Sequence, residues 1–324
     1  MVSTLAGNGQ TGDADGTGGP TGTAEFDIPT GVAVDTAGTV YVAEDNRIRA
    51  IDRQGNVTTF AGNGTSADVD GSGGRNGTAE FVDPEAVAVD SAGNVYVAET
   101  LGNRIRKIDP AGNVTTLAGN GAHGYADGTG GANGTAEFAE PEGLATDSQG
   151  NVYVADTAND RIRKIDPAGN VTTLAGDLGG NSGFNVLTAV AVDPAGNVYV
   201  ADIDADAILK IDGNGNVTTL AGSGRSGFSD GQGTSATFNA PGSIAIDGEG
   251  NLFVSEYGGE RIRRIDPSAN VTTIAGDGDA GFADGPGAPN DTAEFDRPGG
   301  VAVDAAGNIY VADTRNNRIR LITP

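Results

Sequence analysis

Cysteine is absent from the 324 residues, histidine occurs once, and Lys and Arg number 19 against 44 Asp and Glu. The first absence excludes disulfides, thiolate metal sites and cysteine nucleophiles. The second excludes a zinc centre built from several imidazoles, because His123 stands alone. The third leaves a formal charge of −25. Such a surface repels phosphate backbones and anionic lipid, so neither nucleic acid nor membrane is expected as a partner. It favours a soluble monomer and attracts cations or basic partners. No apolar run approaches the length that spans a bilayer, and no window sustains the 3.6-residue apolar period of a long amphipathic helix. Neither a Gly-x-Ser-x-Gly elbow nor a Gly-Lys-Ser/Thr phosphate loop occurs.

Glycine, by contrast, is abundant at 54 residues. Short Val/Ile/Tyr/Thr runs lie between Gly/Asn/Asp clusters, the pattern of an all-β chain with many turns. The runs repeat. Val87-Ala88-Val89-Asp90 leads to Asn94-Val95-Tyr96-Val97-Ala98-Glu99, then Arg104-Ile105-Arg106-Lys107-Ile108-Asp109, then Asn113-Val114-Thr115-Thr116-Leu117-Ala118-Gly119. The first Asp of each unit falls at Asp35, Asp90, Asp147, Asp193, Asp247 and Asp304, at spacings of 55, 57, 46, 54 and 57 residues. Each unit therefore reads as four short strands, A to D, followed by an insert of variable length. Turns such as Thr36-Ala37-Gly38 and Pro110-Ala111-Gly112 join A to B and C to D.

Four-stranded antiparallel units repeated radially make a β-propeller, in which only short, protected sheet edges remain. The chain stops at Arg320-Leu321-Ile322-Thr323-Pro324, just past strand C of the sixth unit, and starts with Val2-Ser3-Thr4-Leu5-Ala6-Gly7, a strand D. The reading is thus a single domain over residues 1–324: six blades, the last completed by the N-terminal strand. A start inside a repeat also fits a domain drawn from a longer protein. An extracellular or periplasmic bacterial location, its targeting signal outside this chain, is the expectation.

The segment Asp147-Ser148-Gln149-Gly150-Asn151-Val152-Tyr153-Val154-Ala155-Asp156, with Asn159-Asp160-Arg161-Ile162 after it, resembles the NHL repeat, and the likeness recurs in every unit. The resemblance implies a six-bladed propeller but no single activity. NHL-like propellers serve as protein-interaction modules, RNA binders, sensor domains and, in one branch, metal-dependent amidating lyases. The acidic charge argues against RNA, and the lone histidine against the lyase zinc site.

Residues needed once per blade read as joints. The strand-A Asp residues and the strand-C arginines Arg47, Arg104, Arg161, Arg261 and Arg318 are expected to make turn hydrogen bonds and interblade ion pairs. The tyrosines of strand B are expected in the core, and Phe26, Phe81, Phe138, Phe238 and Phe295 to pin the inserts to one rim. The insert Asp-Gly elements at Asp15, Asp70, Asp127, Asp230 and Asp284 present oxygens that calcium would take, or form Asx turns.

Departures from the repeat read as candidate sites. One residue per blade, two before strand A's first valine or its counterpart, forms a ring at the mouth of the central channel: Thr30, Glu85, Glu142, Thr188, Gly242 and Gly299. Glu85 and Glu142, with glycines opposite, are candidates for holding calcium or a cationic ligand group. In the fourth unit the insert from Asp177 to Leu187 is short, and Asp202, Asp204 and Asp206 alternate in the B–C loop as a second candidate metal set beside an acidic cleft. The expected function is non-catalytic: a binding or scaffold propeller that recognises a protein, peptide or glycan through its insert-bearing rim. Blades so alike also suit a recently amplified or engineered repeat protein. The alternative is a calcium-dependent hydrolase or lyase with its site in the channel.

Overall fold

A computed structural model describes residues 1–176, 184–288 and 292–324. Six antiparallel sheets surround one axis, four strands in each, with a two-residue fifth strand added to the fifth blade. In the third blade strand A is Pro141–Thr146, B is Val152–Asp156, C is Arg161–Ile165 and D is Val171–Ala175. The ring closes as the termini foretold. Val2–Ala6 pairs with Arg318–Ile322, with Val2 opposite Ile322 and Ser3 opposite Leu321.

A local code writes the turns. The Asp147 carboxylate accepts the backbone N–H groups of Gln149 and Asn151 at 2.9 Å, the Asn151 amide at 2.6 Å and the Tyr153 hydroxyl at 3.2 Å. Gly150 adopts φ 81°, the left-handed value that this Asp-x-x-Gly-Asn turn requires. Burial works against the charged carboxylate, yet these donors hold it below its usual range. Burial and the same carboxylate push the Tyr153 hydroxyl up to about 12. The C–D turn repeats the device at Asp166 and Asn170.

Blades pack face to face through aliphatic and aromatic side chains. One interblade cluster joins Tyr96 and Ala98 of the second blade to Val152, Val154 and Ile165 of the third. The inserts are anchored as well. Phe26, Phe81, Phe138, Phe238 and Phe295 are fully buried. Five inserts also lay a backbone bridge on the outer strand D of their blade, as Gly128 does on Val171, which covers a sheet edge that would otherwise invite pairing.

The ion pairs require a correction. The arginines buried with no exposure are Arg49, Arg106, Arg163, Arg263 and Arg320, two residues beyond those expected, and they tie insert to blade rather than blade to blade. Arg163 donates to Asp156 at 2.6 Å, to Asp127 at 2.8 Å and to the carbonyls of Glu137 and Ala126, and its guanidinium lies 5.2 Å from the Phe138 ring centre. Strand alternation puts Arg161 and Arg163 on one face, and the insert covers the deeper of the two. The outer arginines stay at the rim. Arg161, Arg261 and Arg318 stack on Tyr125, Phe228 and Phe282, whereas Arg47 and Arg104 pair with Asp13 and Asp68 at the same insert position.

Candidate functional site at the axial mouth

Five of the six strands A are entered in the same way; the fourth, which begins at Leu187, lacks the proline. A residue precedes a proline, which precedes the ring position; Ile28, Asp83, Glu140, Ala240 and Arg297 are these residues, with φ between 49° and 53°. The backbone N–H of each is held by the B–C loop of the preceding blade: Ile28 by Asn317, Asp83 by Asn46, Glu140 by Asn103, Ala240 by Asp206 and Arg297 by Glu260. A second interblade bond runs from a B–C loop threonine to the next blade. Thr100 Oγ1 donates to the Pro141 carbonyl at 2.9 Å, Thr157 to Leu187 at 2.7 Å and Thr314 to Pro29 at 2.8 Å. These bonds fix the rim from which the central residues project.

The six strands A enclose a cavity of about 400 Å³. Thr30, Glu85, Glu142, Thr188, Gly242 and Gly299 all line it. Two residues deeper, on the same face by alternation, come Val32, Val87, Leu144, Val190, Ile244 and Val301. The cavity is therefore a cup with an aliphatic floor and a mixed wall. Ile28, Ile203, Tyr257 and the polar Ser243 and Thr314 also line it. Ile203 and Tyr257 stand where other blades place the bonding threonine, so the fourth and fifth blades exchange a joint for apolar surface.

Burial pushes the Glu85 carboxyl up to about 7; Asp83 adds to this and a hydrogen bond with Thr30 opposes it. Burial likewise pushes Glu142 up to about 7, and the charges of Glu85, Glu140 and Asp83 act in the same direction. The two ring glycines differ. A Cβ on Gly299 would meet Thr314 Oγ1 at 2.7 Å and the Thr30 carbonyl at 2.9 Å, whereas on Gly242 it would meet only the Tyr257 Cβ at 3.4 Å. Close packing requires the first, and the free space lies beside the second.

The other candidates are spent on the fold. Asp202 is fully buried and accepts the backbone N–H groups of Asn185, Val186 and Ala205. Asp204 is exposed and Asp206 serves Ala240, so the structure does not bring the three together. Residues 177–183 of the short insert lie outside the described residues, and with them most of the cleft expected there. Asp15, Asp70, Asp127, Asp230 and Asp284 each bind a buried arginine and a strand-D threonine. They form ion pairs rather than Asx turns. Calcium takes six to eight oxygens. Among the described residues no group of three or more His, Asp or Glu is placed to hold a metal, and the Glu85–Glu142 pair alone falls short of that shell.

The family model of the NHL repeat matches residues 138–165 and 295–320, which fall in the third and sixth units, and the other four units carry the same strands and turns. The chain is a six-bladed propeller that carries NHL repeats. It is 28% identical over 309 residues to the protein SUPPRESSOR OF QUENCHING 1 of Arabidopsis thaliana, a match that covers 92% of this chain and 25% of that one. The NHL propeller thus spans about a quarter of that relative. Its fold is shared with an auxiliary nutrient binding protein of Bacteroides thetaiotaomicron (TM-score 0.72, 18% identity, 99% of this chain and 75% of that one). It is shared too with a gluconolactonase of Xanthomonas campestris (TM-score 0.64, 13% identity, 99% and 88%). Among the described residues, no helix is long and apolar enough to cross a membrane.

Proposed function

We propose that this NHL propeller is a binding module that engages a protein, peptide or glycan on its insert-bearing face, with the axial cup at the centre of the contact. One observation carries the reading. Polar groups that recur in the blades are consumed by turns, ion pairs and interblade bonds, while the residues that break the repeat, Glu85, Glu142, Ile203, Gly242 and Tyr257, converge on one cavity. Its volume lies within the roughly 300–1,000 Å³ usual for ligand clefts, and a few polar groups on a mostly apolar lining are the usual composition. Exposed Tyr125 and Phe228 extend the apolar surface along the rim. Nutrient binding by a propeller of similar fold is compatible with this use.

Peptide and glycan arrays probed with the labelled protein test it. Ligands captured by the natural sequence are expected to be lost with Gly242→Leu, which fills the free side of the cup. Capture unchanged by that variant would overturn the proposal.

A hydrolase reading draws on the same pair, because carboxyls raised to about 7 in a cavity suit proton transfer. Esterase or lactonase turnover lost on Glu142→Gln would support that alternative. A calcium-dependent reaction finds too few oxygen donors here.

A further inference from the structure

Resting on the reading of the insert-bearing face as a binding surface, we propose that the axial cup takes an alkylammonium group, presented by a lysine side chain of a polypeptide or by a free amine. The argument is one of matched layers. Seen from the mouth, Ile28, Ile203 and Tyr257 form a mostly apolar collar with Thr314, Glu85 and Glu142 stand below it on adjacent blades, and six aliphatic side chains line the floor. A ligand group entering this cup meets hydrocarbon, then two carboxylates on one side, then hydrocarbon again. A short alkyl stem ending in a compact cation matches that sequence, with the stem against the collar and the head between the carboxylates.

An ammonium fits better than a guanidinium. It has three donors around a point charge, which carboxylates from two different strands can share, whereas a guanidinium favours both oxygens of one carboxylate. It fits better than calcium for want of oxygens. The aliphatic floor offers no competing polar group and lowers the local dielectric, which strengthens a charge pair formed there. Asp83 and Glu140 on the same two blades add negative potential at the mouth. Arg297, held against Tyr257 with its guanidinium 5.2 Å from the ring centre, lies on the opposite blade and does not line the cup.

Titration calorimetry at about pH 8 decides the matter, with n-butylammonium as probe and ammonium ion and n-butanol as controls. The alkylammonium is expected to bind at least about tenfold more tightly than either control, and to lose at least about tenfold in the Glu85→Gln/Glu142→Gln double variant. Gly242→Leu should lose it as well, while Asp204→Asn, which removes an exposed carboxylate elsewhere on the same face, should not. At about pH 7 binding should release protons, seen as a heat that changes with the ionisation enthalpy of the buffer, because a cation between them returns the two carboxyls to their charged forms. Tighter binding of Nα-acetyl-lysine N-methylamide than of n-butylammonium assigns the group to a polypeptide; equal or weaker binding assigns it to a free amine. Equal affinity for n-butanol, no binding of n-butylammonium, or binding untouched by the double variant would overturn the inference. Array ligands that lack an ammonium and survive the double variant would overturn it while leaving the binding module standing. A protein that captures nothing on the arrays and ignores n-butylammonium would lose both.

Discussion

Glu142 is held away from water beside three other acidic side chains, so its ionisation opposes folding. A carboxyl whose folded pKa is raised binds its proton more readily in the native state than in the unfolded chain, and stability therefore falls as pH rises from the unfolded value towards about 7. Glu142→Gln removes the ionisation while keeping the shape. It is expected to raise stability at pH 8 by on the order of 1–2 kcal/mol and to have almost no effect near pH 4, where both forms are uncharged. Urea denaturation at the two pH values checks this; equal effects at both would show that Glu142 is solvated. The buried arginines predict the opposite behaviour. Arg163 neutralises Asp156, which is fully buried, so Arg163→Met strands a charge in the core. The expected cost is about 3–5 kcal/mol, and the further change Asp156→Asn should return part of it.

At the scale of the element, the insert folds as a strap rather than a loop. Phe138 sits fully buried beneath it and Gly128 bridges to Val171 on the sheet edge. Phe138→Ala should therefore cost about 3–5 kcal/mol and make residues 121–135 the first site of limited proteolysis. Cleavage elsewhere first would mean that the bridge, not the ring, holds the strap. This element also marks the boundary of what the sequence discloses. Strands and turns were legible because nearly every turn carries its own Asp-x-x-Gly-Asn code, Thr39 and Ala269 being the exceptions, and each strand its own apolar run, so local signals suffice. The pinning phenylalanines were legible as well, since one large apolar residue in a polar, glycine-rich insert has nowhere else to go. The choice between Arg161 and Arg163 was not. Both lie on one face of strand C and both are buried, and which one is sealed beneath the strap depends on how far the strap reaches over the sheet, a distance that spacing does not record. The fourth blade held the clue: it has Leu209 where the buried arginine would be, and its insert keeps the pinning phenylalanine as Phe184 but lacks the Asp-Gly element. Its Asp202 turns instead to backbone N–H groups. The channel ring was legible by register, but register treated Gly242 and Gly299 alike, and only the neighbouring Thr314 and Thr30 distinguish them.

The whole molecule behaves as a ring in which one C–D turn happens to be open. The Met1 ammonium donates to the Thr323 carbonyl at 3.0 Å, and strands C and D of the sixth blade pair as they do within the other blades. The position of the opening should then matter less than its closure. Joining Pro324 to Val2 through Ala-Gly-Asn would rebuild a turn like Pro110-Ala111-Gly112-Asn113, and new termini between the exposed Pro167 and Ala168 would open the equivalent turn of the third blade. This permutant has the same strands and the same number of open turns, so its denaturation midpoint is expected to stay close to that of the natural order. Deleting residues 1–6 tests the complement. It removes Val2 and Ala6 from the core, leaves strand C of the last blade as a bare edge, and cuts the covalent link between the first and sixth blades, which then meet only through side-chain packing and the interblade hydrogen bonds. Because each blade packs only on its two neighbours, the loss should spread around the ring from both sides of the gap, giving a broadened unfolding transition with a reduced denaturant slope. A sharp transition in the deletion variant, or a collapsed midpoint in the permutant, would mean that the blades stand on their own cores and that closure contributes little.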